Sequence, residues 1–125
     1  MISVGQKILV VEDEPDFRVA LRMRLEANGY DIVEANDGPG GLDAVRLQNP
    51  DLIILDVMLP GMSGFQVARL LKCSAQYKHV PLMMLTVMSQ AADRKMGQAA
   101  GADAYLTKPY RSQELLNTIA ELISR

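Results

Sequence analysis

The sequence predicts an α/β fold, a doubly wound (βα)5 arrangement in which a five-stranded parallel sheet carries helices on both faces. Three observations lead there. Short aliphatic runs recur at 7–11, 31–35, 52–55, 82–85 and 104–107, and segments with helical spacing separate them. Such alternation builds parallel sheets, because each return to the same edge needs a crossover. The run Leu52-Ile53-Ile54-Leu55 is apolar without interruption, which suits a strand covered on both faces. Finally, 125 residues is the length of one domain, enough to bury a core without metals or disulfides to hold it.

The first run leads into Glu12-Asp13 and then a helix. Pro15 suits its first turn, Phe17, Leu21 and Leu25 form one stripe, and Gly29 stops it. The second helix is expected over about 41–48, ended by Asn49-Pro50, since the residue before a proline avoids helical backbone. The third strand ends at Asp56, for a charge has no partner inside an apolar run. The third helix, after Gly64, presents Phe65, Ala68 and Leu71 to the sheet. The fourth strand ends in Thr86. The fourth helix, within "QAADRKMGQAAGAD", has Met96 as its only large apolar residue and Gly97 inside it, at a cost of about 1 kcal/mol relative to alanine. It is expected to be the loosest. The fifth strand ends at Lys108-Pro109, and the last helix carries Leu115, Leu116, Ile119, Leu122 and Ile123 on one face.

Composition excludes several function classes. Thirteen basic residues against 15 acidic ones give a net charge of −2, so no basic field is available for nucleic acid or an anionic membrane. Cys73 is the only cysteine and cannot form an internal disulfide. No apolar run is long enough for a membrane span, and "MISVGQ" lacks the features of a signal peptide, so the cytoplasm is the expected compartment. Residues 1–125 are expected to be one domain without a second, output domain.

Ligands of doubly wound sheets bind beyond the carboxyl ends of the strands. At those ends stand Glu12, Asp13, Asp56, Thr86 and Lys108. Three carboxylates and one ammonium leave two negative charges, and like charges about 4 Å apart repel by roughly 4 kcal/mol at an effective dielectric of 20. A divalent cation balances them, and hard oxygen ligands favour Mg²⁺ over zinc. With the metal, Asp56 can act as a nucleophile on a phosphoryl group whose oxygens Lys108 and Thr86 hold. Taken singly, each residue has a plainer reading: Asp13 a helix cap, Asp56 a turn residue before Pro60-Gly61, Thr86 a strand-end hydroxyl, Lys108 a solvated lysine. Their convergence on one sheet edge is what those readings leave unexplained. Tyr105 fits either half-buried packing or a moving part.

With "ILVVEDEP", "PDLIILDVMLPGMSGF", "PLMMLT" and "GADAYLTKPY" in order, the sequence resembles the receiver domain of bacterial two-component response regulators from Lys7 onward. The resemblance implies a flavodoxin-like sheet of order 2-1-3-4-5 and phosphorylation of Asp56 by a histidine kinase or histidine phosphotransfer protein. It implies Mg²⁺ held by Asp13, Asp56 and the Met58 carbonyl, with Glu12 acting through water. Thr86 and Lys108 would contact the phosphoryl group, and the Lys108-Pro109 bond would be cis. Thr86 and an inward-swinging Tyr105 would switch the face of helix four, strand five and helix five, which controls a downstream protein or an output domain in cis.

Departures from the family pattern concern tuning and pairing. Val87 stands where alanine or glycine is usual and can crowd the phosphoryl site; Met58 and Met88 stand where polar side chains can orient the attacking water. Slow loss of the phosphoryl group is expected. Arg94 and Glu114 match one salt bridge of a phosphorylation-linked dimer, but Ala104 and Thr118 replace the partners of another. Among competing functions, a flavodoxin-like cofactor binder needs a phosphate cradle where "EDEPD" stands, and a phosphatase needs Asp-x-Asp where the second position is Met58. A phosphorylation-independent interaction module remains the alternative. The receiver reading makes the chain a phosphoacceptor that promotes its own phosphorylation and dephosphorylation, not an enzyme with a separate product.

Overall fold

Alternating side chains decide what each face of the sheet receives. In the computed structural model, which describes residues 5–125, the strands are β1 (Lys7–Val11), β2 (Asp31–Ala35), β3 (Leu52–Leu55), β4 (Leu82–Thr86) and β5 (Ala104–Thr107). They form one parallel sheet of order β2-β1-β3-β4-β5, as the resemblance implies. Leu9, Val11, Ile53, Leu55, Leu82 and Met84 face α2 (Gly38–Gln48), α3 (Gly64–Lys72) and α4 (Ala91–Ala99). Ile8, Val10, Leu52, Ile54, Met83 and Leu85 face α1 (Pro15–Ala27) and α5 (Ser112–Ile123). Each fully buried aliphatic side chain contributes about 1.5–3 kcal/mol, so these two layers dominate stability. The central strands β1, β3 and β4 are buried almost throughout, whereas the edge strand β2 carries Asp31 and Glu34 and is half-exposed.

The helices begin where side chains satisfy their free N–H groups. Glu14, not Asp13, caps α1 by accepting from the Asp16 N–H at 2.8 Å, and Pro15 occupies the first turn. Three residues earlier than the spacing predicts, α2 starts at Gly38: Asp37 accepts from the Gly40 N–H at 2.7 Å, and Pro39 sits in a turn that needs no N–H. Asn49 ends α2 with φ of 49°, ahead of Pro50. A capping box of Ser63 and Gln66 starts α3, which buries Val67 beside Ala68 and Leu71 while Phe65 is half-buried. On α5, Leu115, Ile119 and Leu122 are buried and Leu116 and Ile123 flank them.

The fourth helix meets the sheet through its glycine rather than through a large apolar side chain. Met96 is exposed, and α4 approaches β5 through Gly97, where an added Cβ would lie 2.8 Å from the Tyr105 ring. The glycine is a slot for the aromatic side chain. Gly97→Ala is therefore expected to destabilise by about 1–3 kcal/mol through overpacking, although alanine favours an isolated helix. In a Tyr105→Ala background the same change should stabilise, and urea denaturation of the four proteins in the cycle measures the sign reversal. Among the described residues, no helix is long and apolar enough to cross a membrane.

Candidate functional site

Because β2 and β3 lie on opposite sides of β1, the strand order reverses at β1 and opens a crevice at the carboxyl ends of β1 and β3. The buried polar or charged side chains among the described residues are Glu12, Asp56 and Thr86, 3%, 6% and 0% exposed. All three stand at that edge. Burying a carboxylate is costly unless partners compensate it, and the partners here are specific. Asp56 accepts from the Met58 N–H at 3.0 Å and from Lys108 Nζ at 2.9 Å. Glu12 accepts from the Glu14 N–H at 3.0 Å and from the same Lys108 ammonium. Asp13 is exposed, and its carboxylate makes no hydrogen bond among the described residues. One carboxylate oxygen from each of Glu12, Asp13 and Asp56 lies within 4.8 Å of the others.

Lys108 is placed from several sides. Its N–H donates to Thr86 O at 2.8 Å, continuing the β4–β5 ladder, and its Lys108-Pro109 bond is cis, as the resemblance implies. Its Nζ lies 3.9 Å from the centre of the Phe17 ring, a cation–π contact from α1. Burial opposes the ammonium, but hydrogen bonds to Asp56 and Glu12 outweigh it and hold its pKa above the ordinary lysine value. Burial pushes the Glu12 carboxyl upward, aided by the charge of Asp56 and opposed by the bonds from Lys108 and Glu14. With one cation for three carboxylates, the cluster keeps two negative charges. Its donor set consists of hard oxygens, which fits Mg²⁺.

The family model described as the response regulator receiver domain matches residues 8–120. The chain belongs to that family. The receiver is 42% identical to the phosphate regulon transcriptional regulatory protein of Klebsiella pneumoniae over 122 residues, 98% of this chain and 53% of that protein. It is 41% identical to a DNA-binding dual master transcriptional regulator of Synechocystis sp. over 120 residues, 95% of this chain and 49% of that one. The chain thus spans about half the length of these curated relatives. Among solved structures, a chemotaxis response regulator of Vibrio cholerae superposes with a TM-score of 0.87 at 32% identity, covering 94% of this chain and 98% of that one. The receiver domain of a sensor histidine kinase from Pseudomonas aeruginosa, which holds a magnesium ion in its active-site cleft, gives 0.90 at 30% identity, covering 98% and 100%.

Around the acidic cluster of the receiver, the remaining predicted residues take distinct places. Thr86 Oγ1 accepts from the Met88 N–H at 3.4 Å, within β4's end rather than on Asp56. Met58 and Val87 are exposed, at 56% and 57%, while Met88 is half-buried against the α2–α4 side of the core. Tyr105 is half-buried, and its hydroxyl donates to Met88 O at 2.6 Å. Burial, with the charge of Asp93, raises that phenol's pKa and keeps it a donor. The Arg94 guanidinium lies 5.1 Å from the Tyr105 ring centre and donates to Tyr105 O at 3.2 Å, so Arg94 is engaged within the chain. Thr118 Oγ1 donates back to Glu114 O at 2.8 Å.

Sequence reasoning passed over three contributors. Phe17 was placed only on the packing stripe of α1, yet it also meets Lys108. Gly64 packs on the Asp56 main chain. Arg18 Nη1 donates to the carbonyl of Glu12 at 2.7 Å, and a main-chain acceptor leaves no mark in residue type.

Proposed function

We propose that this receiver accepts a phosphoryl group on Asp56 from a histidine kinase or histidine phosphotransfer protein, with Mg²⁺ as cofactor. The aspartyl phosphate then resets the face of α4, β5 and α5 toward a partner protein or an output domain of the same polypeptide. The observation that carries this reading is the burial of Glu12, Asp56 and Thr86 at one sheet edge, with Lys108 joined to two of them. Asp13, Asp56 and the Met58 carbonyl would hold the metal, with Glu12 acting through water. Bound there, Mg²⁺ supplies charge neutralisation for the phosphoryl oxygens.

The chain's own residues supply the rest. An oxygen of the Asp56 carboxylate attacks phosphorus, the P–N bond to the donor imidazole breaks, and the imidazole leaves with the bonding pair. Lys108 is within reach of the same carboxylate and turns to the transferred phosphoryl oxygens. The Thr86 hydroxyl, one strand away, accepts from the Met88 N–H and has its O–H left to donate to a phosphoryl oxygen. The receiver thereby promotes its own phosphorylation and the later hydrolysis of the aspartyl phosphate, in which water attacks phosphorus, inorganic phosphate leaves and the Asp56 carboxylate is restored. Met58 and Met88 have no side-chain group that can hydrogen-bond strongly to an attacking water, so the phosphoryl group is long-lived.

Intact mass after incubation with Mg²⁺ and a small acyl phosphate tests both parts. One phosphoryl group is expected, and none when a chelator removes the metal. After donor removal the adduct should decay slowly, and Met58→Asn with Met88→Glu should hasten decay on the order of tenfold, a modest share of what a positioned proton-transfer group contributes. No uptake by the chain, even from a histidine phosphotransfer protein, would favour the phosphorylation-independent module. A lifetime of seconds that the double change leaves alone would remove the tuning role of the two methionines.

A further inference from the structure

Glu12 is held at each of its polar atoms. Its N–H donates to Ala35 O at 3.0 Å, its carbonyl accepts from Arg18 Nη1 at 2.7 Å, and its carboxylate accepts from the Glu14 N–H and Lys108. Asp13 has no comparable restraint on its exposed carboxylate. Its placement beside Glu12 and Asp56 therefore rests on its main chain. The peptide group joining Glu12 to Asp13 is planar, so whatever fixes its oxygen fixes the direction in which residue 13 departs.

Arg18 is itself braced. Its Nε lies 3.3 Å from Glu34 on β2, and the other Glu34 oxygen receives Arg22 Nη1 at 2.7 Å. The Arg18 side chain is mostly buried, and its broad planar guanidinium spans an ion pair with Glu34 and a hydrogen bond to the Glu12 carbonyl. Exposed ion pairs contribute little stability individually, so the notable property of this chain of charges is where it ends: on a carbonyl next to the acidic cluster.

We propose that Arg18 is a positioning residue for the cation site, fixing the Glu12-Asp13 peptide plane so that the Asp13 carboxylate stands with those of Glu12 and Asp56. This rests on reading the acidic cluster as an Mg²⁺ site. Charge and geometry make opposite predictions for Arg18→Met. Removing a nearby positive charge would by itself strengthen binding of a dication, whereas losing the brace weakens it.

Calorimetric titration of Mg²⁺ into the unphosphorylated chain distinguishes them. The wild-type chain should bind Mg²⁺, and Arg18→Met should bind about tenfold more weakly, the lower end of what losing an outer partner of a metal ligand costs. Arg18→Lys, whose single ammonium cannot serve both acceptors, should recover part of the loss. Arg22→Met, which removes a like charge farther along the same chain, should stay within about twofold of wild type. Thermal unfolding establishes that each variant is folded; should Arg18→Met fail, Arg18→Lys carries the decision. Wild-type or tighter affinity in a folded Arg18 variant overturns the positioning role while leaving the Mg²⁺ reading intact. Absence of binding by the wild-type chain overturns both.

Discussion

Asp56→Asn is expected to abolish phosphoryl uptake while leaving the fold in place. The amide keeps one oxygen, which can accept from the Met58 N–H, and its NH2 replaces the oxygen that met Lys108, whose ammonium still has the Glu12 carboxylate as acceptor. What it loses is the anionic oxygen, and an amide cannot form an acyl phosphate. The change also removes one of the three charges that draw a dication to the cluster. Intact mass beside the wild-type chain, with the same donor and Mg²⁺, measures the result directly. Undiminished uptake by Asp56→Asn would move the acceptor elsewhere, and Asp13, which lies in the same cluster, would be the first position to change next.

The largest stability loss is expected at Gly64, the first residue of α3. A Cβ there would stand 2.1 Å from Asp56 O and 2.8 Å from the Val57 Cα, and neither atom can rotate aside as a side chain would. The Gly64 N–H also donates to Val57 O at 2.8 Å, which pins the loop in this close approach. Gly64→Ala should therefore cost about 3 kcal/mol or more, among the larger effects of single substitutions. With a urea slope of about 1–3 kcal/mol per M, the midpoint falls by at least about 1 M. Gly61→Ala is the informative control: its φ of 76° strains any other residue, but a Cβ there meets nothing within 4 Å. Its cost should be on the order of 1 kcal/mol. Equal midpoints for the two variants would show that the approach to Asp56 is relaxed more easily than the geometry indicates.

Much of this arrangement was legible in residue order because the strands are short and decisively apolar. Leu52 to Leu55 could satisfy neither a surface helix nor a loop, and the polar residue that follows had to lie at the strand's end. The start of α2 was hidden for the opposite reason. Gly38-Pro39-Gly40-Gly41 resembles a loop by composition, and only the Asp37 side chain, reaching the Gly40 N–H, makes it a helix terminus. Gly97 was readable as a helix weakness but not as a slot, since its partner Tyr105 comes from another strand. Asp13 was a candidate cap because aspartate is favoured at that position, and the structure gives that task to Glu14, leaving the Asp13 carboxylate for the crevice.

The two bonds at Met88 carry a consequence for how such a receiver can diversify. Thr86 holds the N–H of residue 88 and Tyr105 holds its carbonyl, so both grips fall on the main chain. Every amino acid except proline offers that same pair of atoms. The side chain at 88 is thus left out of the linkage between the two strands. On the function proposed above, exchanging that side chain would alter the lifetime of the aspartyl phosphate without removing either main-chain bond.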